Sequence, residues 1–211
     1  MSIPRGPRRK GGSELGKFNV ILSDCPWSYS DKGGKRGADH HYATLSMRDL
    51  MLLRVGDLAA ENCAHFLWVT GPFMLNGIRL LQNWGFDYKG VVFVWVKTNS
   101  KSGGLFTGMG HYSRSNCEFV LLGLKGKLER KSASVHSVVM SPMIRHSAKP
   151  PEVRNRIVDL FGDIPRVEIF ARDKCPGWDQ TGLELDEKDI RDYIEEAAPA
   201  RSGLSVLKKR T

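Results

Sequence analysis

Five short apolar runs recur along the chain, and the stretches between them carry helical signals. The runs are FNVILSD (18–24), CAHFLWVT (63–70), GVVFVWVK (90–97), CEFVLLGL (117–124) and VEIFAR (167–172). Their β-branched and aromatic content, without polar alternation, fits strands buried on both faces. Ser46-Met47-Arg48-Asp49 reads as an N-cap with an acidic first turn, so a helix is expected from Ser46. Residues 73–84 read as an amphipathic helix ending before Gly85. PPEVRNRIVDLFG (150–162) has proline at its start and glycine at its end, the asymmetry of a helix. Strands alternating with helices predict an α/β fold on a parallel or mostly parallel sheet.

The length of 211 residues suits one domain, and 41% hydrophobic residues can build its core. The formal charge of +9 favours an anionic partner, nucleic acid first. Cys25, Cys63, Cys117 and Cys175 show no C-x-x-C spacing, and no His cluster completes a zinc set. They read as reduced thiols. The opening MSIPRGPRRKGG lacks the apolar segment of a signal peptide, and no apolar run approaches the roughly 20 residues of a membrane span. The expectation is a cytoplasmic protein with no membrane partner.

Residues 1–16 read as a basic disordered arm, which could touch phosphates or be a simple tail. The expected domain covers 17–185, followed by an acidic then basic extension over 186–211. Three long loops, 28–45, 99–116 and 125–148, interrupt the domain; loops of that length are functional or disordered. No dinucleotide fingerprint and no P-loop are present.

The first strand runs directly into Asp24-Cys25-Pro26-Trp27. In open α/β sheets, ligands sit beyond the carboxyl ends of strands. An exocyclic amine on a nucleobase is a poor nucleophile, because its lone pair is delocalised into the ring. A carboxylate and a backbone carbonyl, each accepting one of its N–H bonds, would draw that lone pair out. An aromatic ring can stack on the base. By this reading Asp24 and the Cys25 carbonyl are the acceptors, and the Cys25 side chain is free to vary. A nucleophilic Cys25 is the rival chemistry, disfavoured by the adjacent carboxylate. A strand end with a turn proline and a packing tryptophan is the plain structural reading.

Further segments narrow the choice. GKFNVILSDCPW, HYATLS (41–46), FLWVTG (66–71), GFDYKGVVFVWVKTN (85–99), GHYSRSNCEFVLLGLKG (110–126), HSAKPPEV (146–153) and VEIFAR followed by PGWDQTGLE occur in one order. Together they resemble the MT-A family of adenine-N6 methyltransferases, the family of the catalytic subunit of the mRNA adenosine methyltransferase, with Asp-Pro-Pro-Trp as its signature. The resemblance covers about residues 16–185. It implies a Rossmann-like methyltransferase fold with circularly permuted, beta-class motif order, and S-adenosylmethionine as methyl donor. It assigns Asp24, Cys25, Pro26 and Trp27 to the catalytic loop and Tyr42 to the adenine pocket. Lys149 would meet the methionine carboxylate, and Phe170, Arg172 and Glu184 would surround the ribose and adenine of the cofactor. Cys25 departs from the family's proline. Leu183, Lys174 and Cys175 stand where the family commonly places polar cofactor ligands, so those contacts are not carried over. The single-domain layout resembles phage and bacterial members that modify DNA. RNA as substrate, and a non-catalytic nucleic-acid-binding subunit on the same fold, stay open, as does pairing with a second copy.

Overall fold

The computed structural model describes residues 18–28, 44–110, 112–143 and 148–198. Seven strands form one sheet: β1 (Phe18–Ser23), β2 (Ala59–Val69), β3 (Asp87–Thr98), β4 (Cys117–Lys125), β5 (Val138–Pro142), β6 (Arg166–Ile169) and β7 (Asp179–Thr181). Their order is β5-β3-β4-β2-β1-β6-β7. Only β4 runs against its neighbours, antiparallel to both β2 and β3; all other pairs are parallel. The sheet is therefore mostly parallel, and the α/β expectation holds.

Helices α1 (Met47–Leu52), α2 (Met74–Asn83), α3 (Pro151–Phe161), α4 (Leu183–Asp186) and α5 (Ile190–Ala197) complete the fold. Ser46 caps α1 by accepting from the Asp49 amide, as its spacing predicts. Pro151 opens α3, and Gly162 closes it at φ 87°, a conformation that disfavours a side chain. Alternate residues of the central strands enter two cores. Ile21, Leu67 and Leu121 pack under α1, α2 and α5; Val20, Leu22, Phe66, Trp68 and Phe93 pack under Val153, Ile157 and Phe161 of α3. Burial on both faces explains the uninterrupted apolar runs of β1, β2 and β4, whereas on β3 only Phe93 and Trp95 are buried.

Three strands depart from the sequence expectations. β5 lies in the basic, Ser-rich segment read as a loop, and β7 is a three-residue polar strand. Both are edge strands of the sheet. An edge strand pairs on one side only and needs no long apolar run. The sixth strand stops at Ile169, not Arg172, because Phe170 turns the backbone to φ 60°. In the acidic segment, α5 buries Ile190, Ile194 and Ala197 in the same core as α1 and α2. Among the described residues no helix is long and apolar enough to cross a membrane.

Candidate active site

The strand order reverses at β1, which has β2 on one side and β6 on the other. Such a switch point opens a crevice at the carboxyl ends of the strands. Ser23 at the end of β1 pairs with Ile169 at the end of β6. The next residues of each strand, Asp24–Trp27 and Phe170–Arg172, therefore leave the sheet side by side. Because β4 runs in reverse, its amino end reaches the same rim and delivers Glu118. Lys97, near the end of β3, and Lys149, just before α3, face the same space. The resulting cleft holds about 380 Å³ and is lined by Asp24, Cys25, Pro26, Trp27, Thr70, Lys97, Glu118, Lys149 and Arg172, among others.

A line of alternating charge forms its floor. Lys149 Nζ lies 2.9 Å from Asp24 Oδ2 and 3.1 Å from Glu118 Oε2. Lys97 Nζ donates to Glu118 Oε1 at 2.6 Å. The two ammonium groups sit over indole rings, Lys149 over Trp68 at 5.5 Å and Lys97 over Trp95 at 4.9 Å. Burial lowers the pKa of the Lys149 ammonium, but Asp24 and Glu118 more than offset this and hold it above the ordinary lysine value. Burial likewise pushes Glu118 up, and Lys149 with Lys97 outweigh it, leaving its carboxyl below the usual range. Lys149 and Glu118 are thus both ionised at neutral pH. In α3, just after Lys149, Arg154 holds Glu168 of β6 through two hydrogen bonds of 2.9 and 2.7 Å.

The Asp24–Trp27 loop is ordered by backbone hydrogen bonds. The Cys25 carbonyl accepts from the Trp27 amide at 2.9 Å, and the Pro26 carbonyl accepts from the Leu45 amide at 2.8 Å. A carbonyl has two lone pairs, so the Cys25 oxygen retains capacity for a second donor. Trp27 is buried and stacks on Phe73 with ring centroids 5.0 Å apart. Its indole N–H is buried without a hydrogen-bond partner among the described residues. The Cys25 thiol is also buried. That burial, with the Asp24 charge second, holds it well above its ordinary pKa, so it stays protonated and is no nucleophile.

The remaining expected residues divide. Arg172 lines the cleft and pairs with Glu184 at 3.4 Å, bringing two of the expected cofactor residues together. Phe170 packs against the first core at a backbone angle rare for a side chain, a strain found at functional sites. Neither Phe170 nor Glu184 is among the residues lining the cleft itself. Tyr42 lies outside the described residues. Lys97 and Glu118 were not singled out from sequence as site residues. Their signal was a charged residue at one end of an otherwise apolar strand, in GVVFVWVK and CEFVLLGL.

A profile of the MT-A70 family matches residues 18–184. The chain belongs to the MT-A70 family. It is 35% identical over 208 residues to the type II methyltransferase M.MunI of a Mycoplasma species, across 89% of this chain and 83% of that protein. It is 33% identical over 175 residues to a putative N(6)-adenosine-methyltransferase MT-A70-like protein of Medicago truncatula, across 81% of this chain and 27% of that protein. It is 30% identical over 178 residues to the N(6)-adenosine-methyltransferase catalytic subunit METTL3 of Homo sapiens, across 82% of this chain and 29% of that protein. MT-A70 methyltransferases use S-adenosylmethionine. The lining of the cleft fits that molecule: it offers the Lys149 and Arg172 cations to a carboxylate and the Asp24 carboxylate to an ammonium, and Arg172 draws Glu184 alongside.

Proposed function

We propose that this chain transfers a methyl group from S-adenosylmethionine to the N6 of adenine in DNA. The observation that carries the reading is the placement of Asp24, held by Lys149, in the cleft at the switch point of the sheet. Lys149, Arg172 and Glu184 are the residues that would hold the cofactor, with Phe170 shaping the turn beside them. When bound, S-adenosylmethionine supplies an electrophilic methyl on a sulfonium, which leaves as a neutral thioether after direct attack.

The chain's own residues prepare the amine. The Asp24 carboxylate accepts one N–H of the adenine N6 and the Cys25 carbonyl the other, turning the nitrogen lone pair out of the ring. Pro26 shapes the loop, Trp27 forms a wall for the base, and Tyr42 keeps the adenine-pocket role that the resemblance assigns it. Lys149 keeps the carboxylate oriented before substrate arrives, so little reorganisation is needed in the transition state. The proton that the nitrogen sheds after methylation has Asp24 as its nearest acceptor. Holding the reactants in line supplies the rest of the rate.

DNA is favoured because the similarity to M.MunI, named a type II methyltransferase, extends over most of both chains. The similarity to METTL3, named an N(6)-adenosine-methyltransferase, covers a minor part of that protein. Retention of Asp24, Trp27, Lys149 and Arg172 in one cleft supports an active enzyme over a non-catalytic subunit.

The test is transfer from isotopically labelled S-adenosylmethionine to mixed DNA and RNA oligonucleotides, followed by nucleoside mass spectrometry. N6-methyladenine in DNA is the expected product. The same product only in RNA would move the substrate, and no product with intact cofactor binding would point to a missing partner, with a second copy of the chain first.

A further inference from the structure

We propose that Met109 and Tyr112, on the loop between β3 and β4, form a wedge that enters a DNA duplex beside the target adenine. The wedge fills the space the base vacates as it turns into the cleft. This rests on DNA being the substrate.

The loop is built to hold its tip firmly. The Phe106 amide donates to the Lys97 carbonyl at 2.9 Å, and the Lys97 amide donates to the Asn116 carbonyl at 2.7 Å. Both ends of the projecting segment are thus tied to one residue of β3, itself part of the charged floor. Between these ties the two arms run close together. A Cβ on Gly108 would overlap the Ser115 carbonyl, and one on Gly110 would overlap the Ser113 carbonyl. Glycine at both positions permits that approach.

What the loop carries at its tip has no folding purpose. Met109 is 85% exposed and Tyr112 is fully exposed, while Met109 also lines the cleft that contains Asp24. Exposed apolar and aromatic side chains at the mouth of a charged cleft call for a partner that is both apolar and anionic. Segment 99–116 carries Lys101 and Arg114 and no acidic residue. A duplex meets both demands, with phosphates outside and stacked bases within.

Chemistry on N6 requires the adenine to leave its stack, and unstacking carries a penalty of a few kcal/mol. Apolar side chains inserted between base steps offset part of that penalty by replacing the lost contacts. Tyr112 offers a ring face to the exposed neighbour base, and unbranched Met109 fits an irregular gap. A single strand leaves no such gap.

The test compares wild type with the Met109→Ser/Tyr112→Ser double variant on amplified DNA fragments, which carry no N6-methyladenine. The same fragments are offered as duplex and as heat-denatured single strands. Expected is a fall of about tenfold or more in N6-methyladenine formed on duplex, with the single-strand rate changed less than about twofold. Without cofactor, fluorescence anisotropy should show wild type binding a duplex with one abasic gap more tightly than an intact duplex, and the variant losing that preference. Equal loss on both substrates, no loss on either, or no gap preference in wild type would overturn the wedge. So would a wild type that methylates only single strands, or a variant that turns a dimer into a monomer by light scattering. A wild type acting on RNA alone, or on nothing, would remove the DNA reading itself. Activity on duplex unaffected by the double substitution would remove the wedge and leave that reading standing. Both side chains are exposed, so an unchanged thermal melt is the folding control.

Discussion

Lys149 Nζ bridges Asp24 and Glu118, at 2.9 Å from one carboxylate and 3.1 Å from the other. The acid assigned to the adenine amine and the cation assigned to the methionine carboxylate therefore hold each other. This makes the two halves of the site interdependent. A change at either residue should be felt in both catalysis and cofactor binding, but unequally.

Asp24→Asn keeps the shape of the side chain and removes its charge. It should lower the transfer rate by roughly 10²–10³-fold, the scale on which a preorganised electrostatic partner is worth. Circular dichroism should be unchanged. Transfer close to wild type in a single-turnover assay would refute the role given to Asp24.

Lys149→Met removes the cation while keeping an apolar stem over Trp68. Loss of a charge-assisted contact should weaken S-adenosylmethionine binding by roughly 10–100-fold. Nucleic-acid affinity should change far less, since Lys149 is largely buried. Calorimetry with each ligand separately would show the split, and equal weakening of both would contradict it.

Glu118→Ala leaves Lys97 and Lys149 facing each other across a half-buried gap. Uncompensated charge of this kind costs about 3 kcal/mol or more of stability. Adding Lys97→Met to Glu118→Ala should recover part of the loss, because the charge that lost its partner goes while Lys149 keeps Asp24. Urea denaturation of wild type, the two single variants and the double variant gives the answer. Additive losses would mean that the salt-bridge array is not an energetic unit.

The parts of the fold legible in the sequence were the strands paired on both sides. The strands β1, β2, β3, β4 and β6 sit inside the sheet and announce themselves as apolar runs. The edge strands β5 and β7 do not, because Val138 and Met140 are exposed and Asp179–Thr181 is held by polar contacts. The site divides in the same way. Asp24–Trp27 is contiguous, and Lys149, Arg172 and Glu184 sit in short recognisable segments. Glu118 is brought to the cleft by the reversal of β4, and strand direction leaves no mark on apolar periodicity. Phe170 read as a strand residue because a left-handed turn at a non-glycine position has no sequence signature.

Cys25→Pro restores the family's proline. The acceptor assigned here is the backbone carbonyl, which the substitution retains, and the thiol is buried and protonated. Activity should be retained or raised, with a stiffer loop. Steady-state kinetics with the Cys25→Pro protein checks this, and an inactive, folded variant would show that the side chain matters in itself.

His65 sets a pH limit on the fold beneath the site. Its ring is fully buried, stacked on Trp84, and its Nε2 lies 2.8 Å from Ser23 Oγ, one residue before Asp24. Burial depresses its pKa from 6.5 to about 3. The unfolded chain therefore binds a proton near pH 6.5 that the folded chain refuses. The sign follows: stability from this group is complete above pH 6.5 and declines as pH falls toward 3. The loss between pH 7 and pH 5 should be about 2 kcal/mol. Replacing His65 by Gln keeps a hydrogen-bonding group toward Ser23 and cannot titrate. Urea midpoints of the His65→Gln variant should fall less over that interval than those of wild type, whatever the variant's absolute stability. Parallel pH profiles would place the acid sensitivity elsewhere in the molecule.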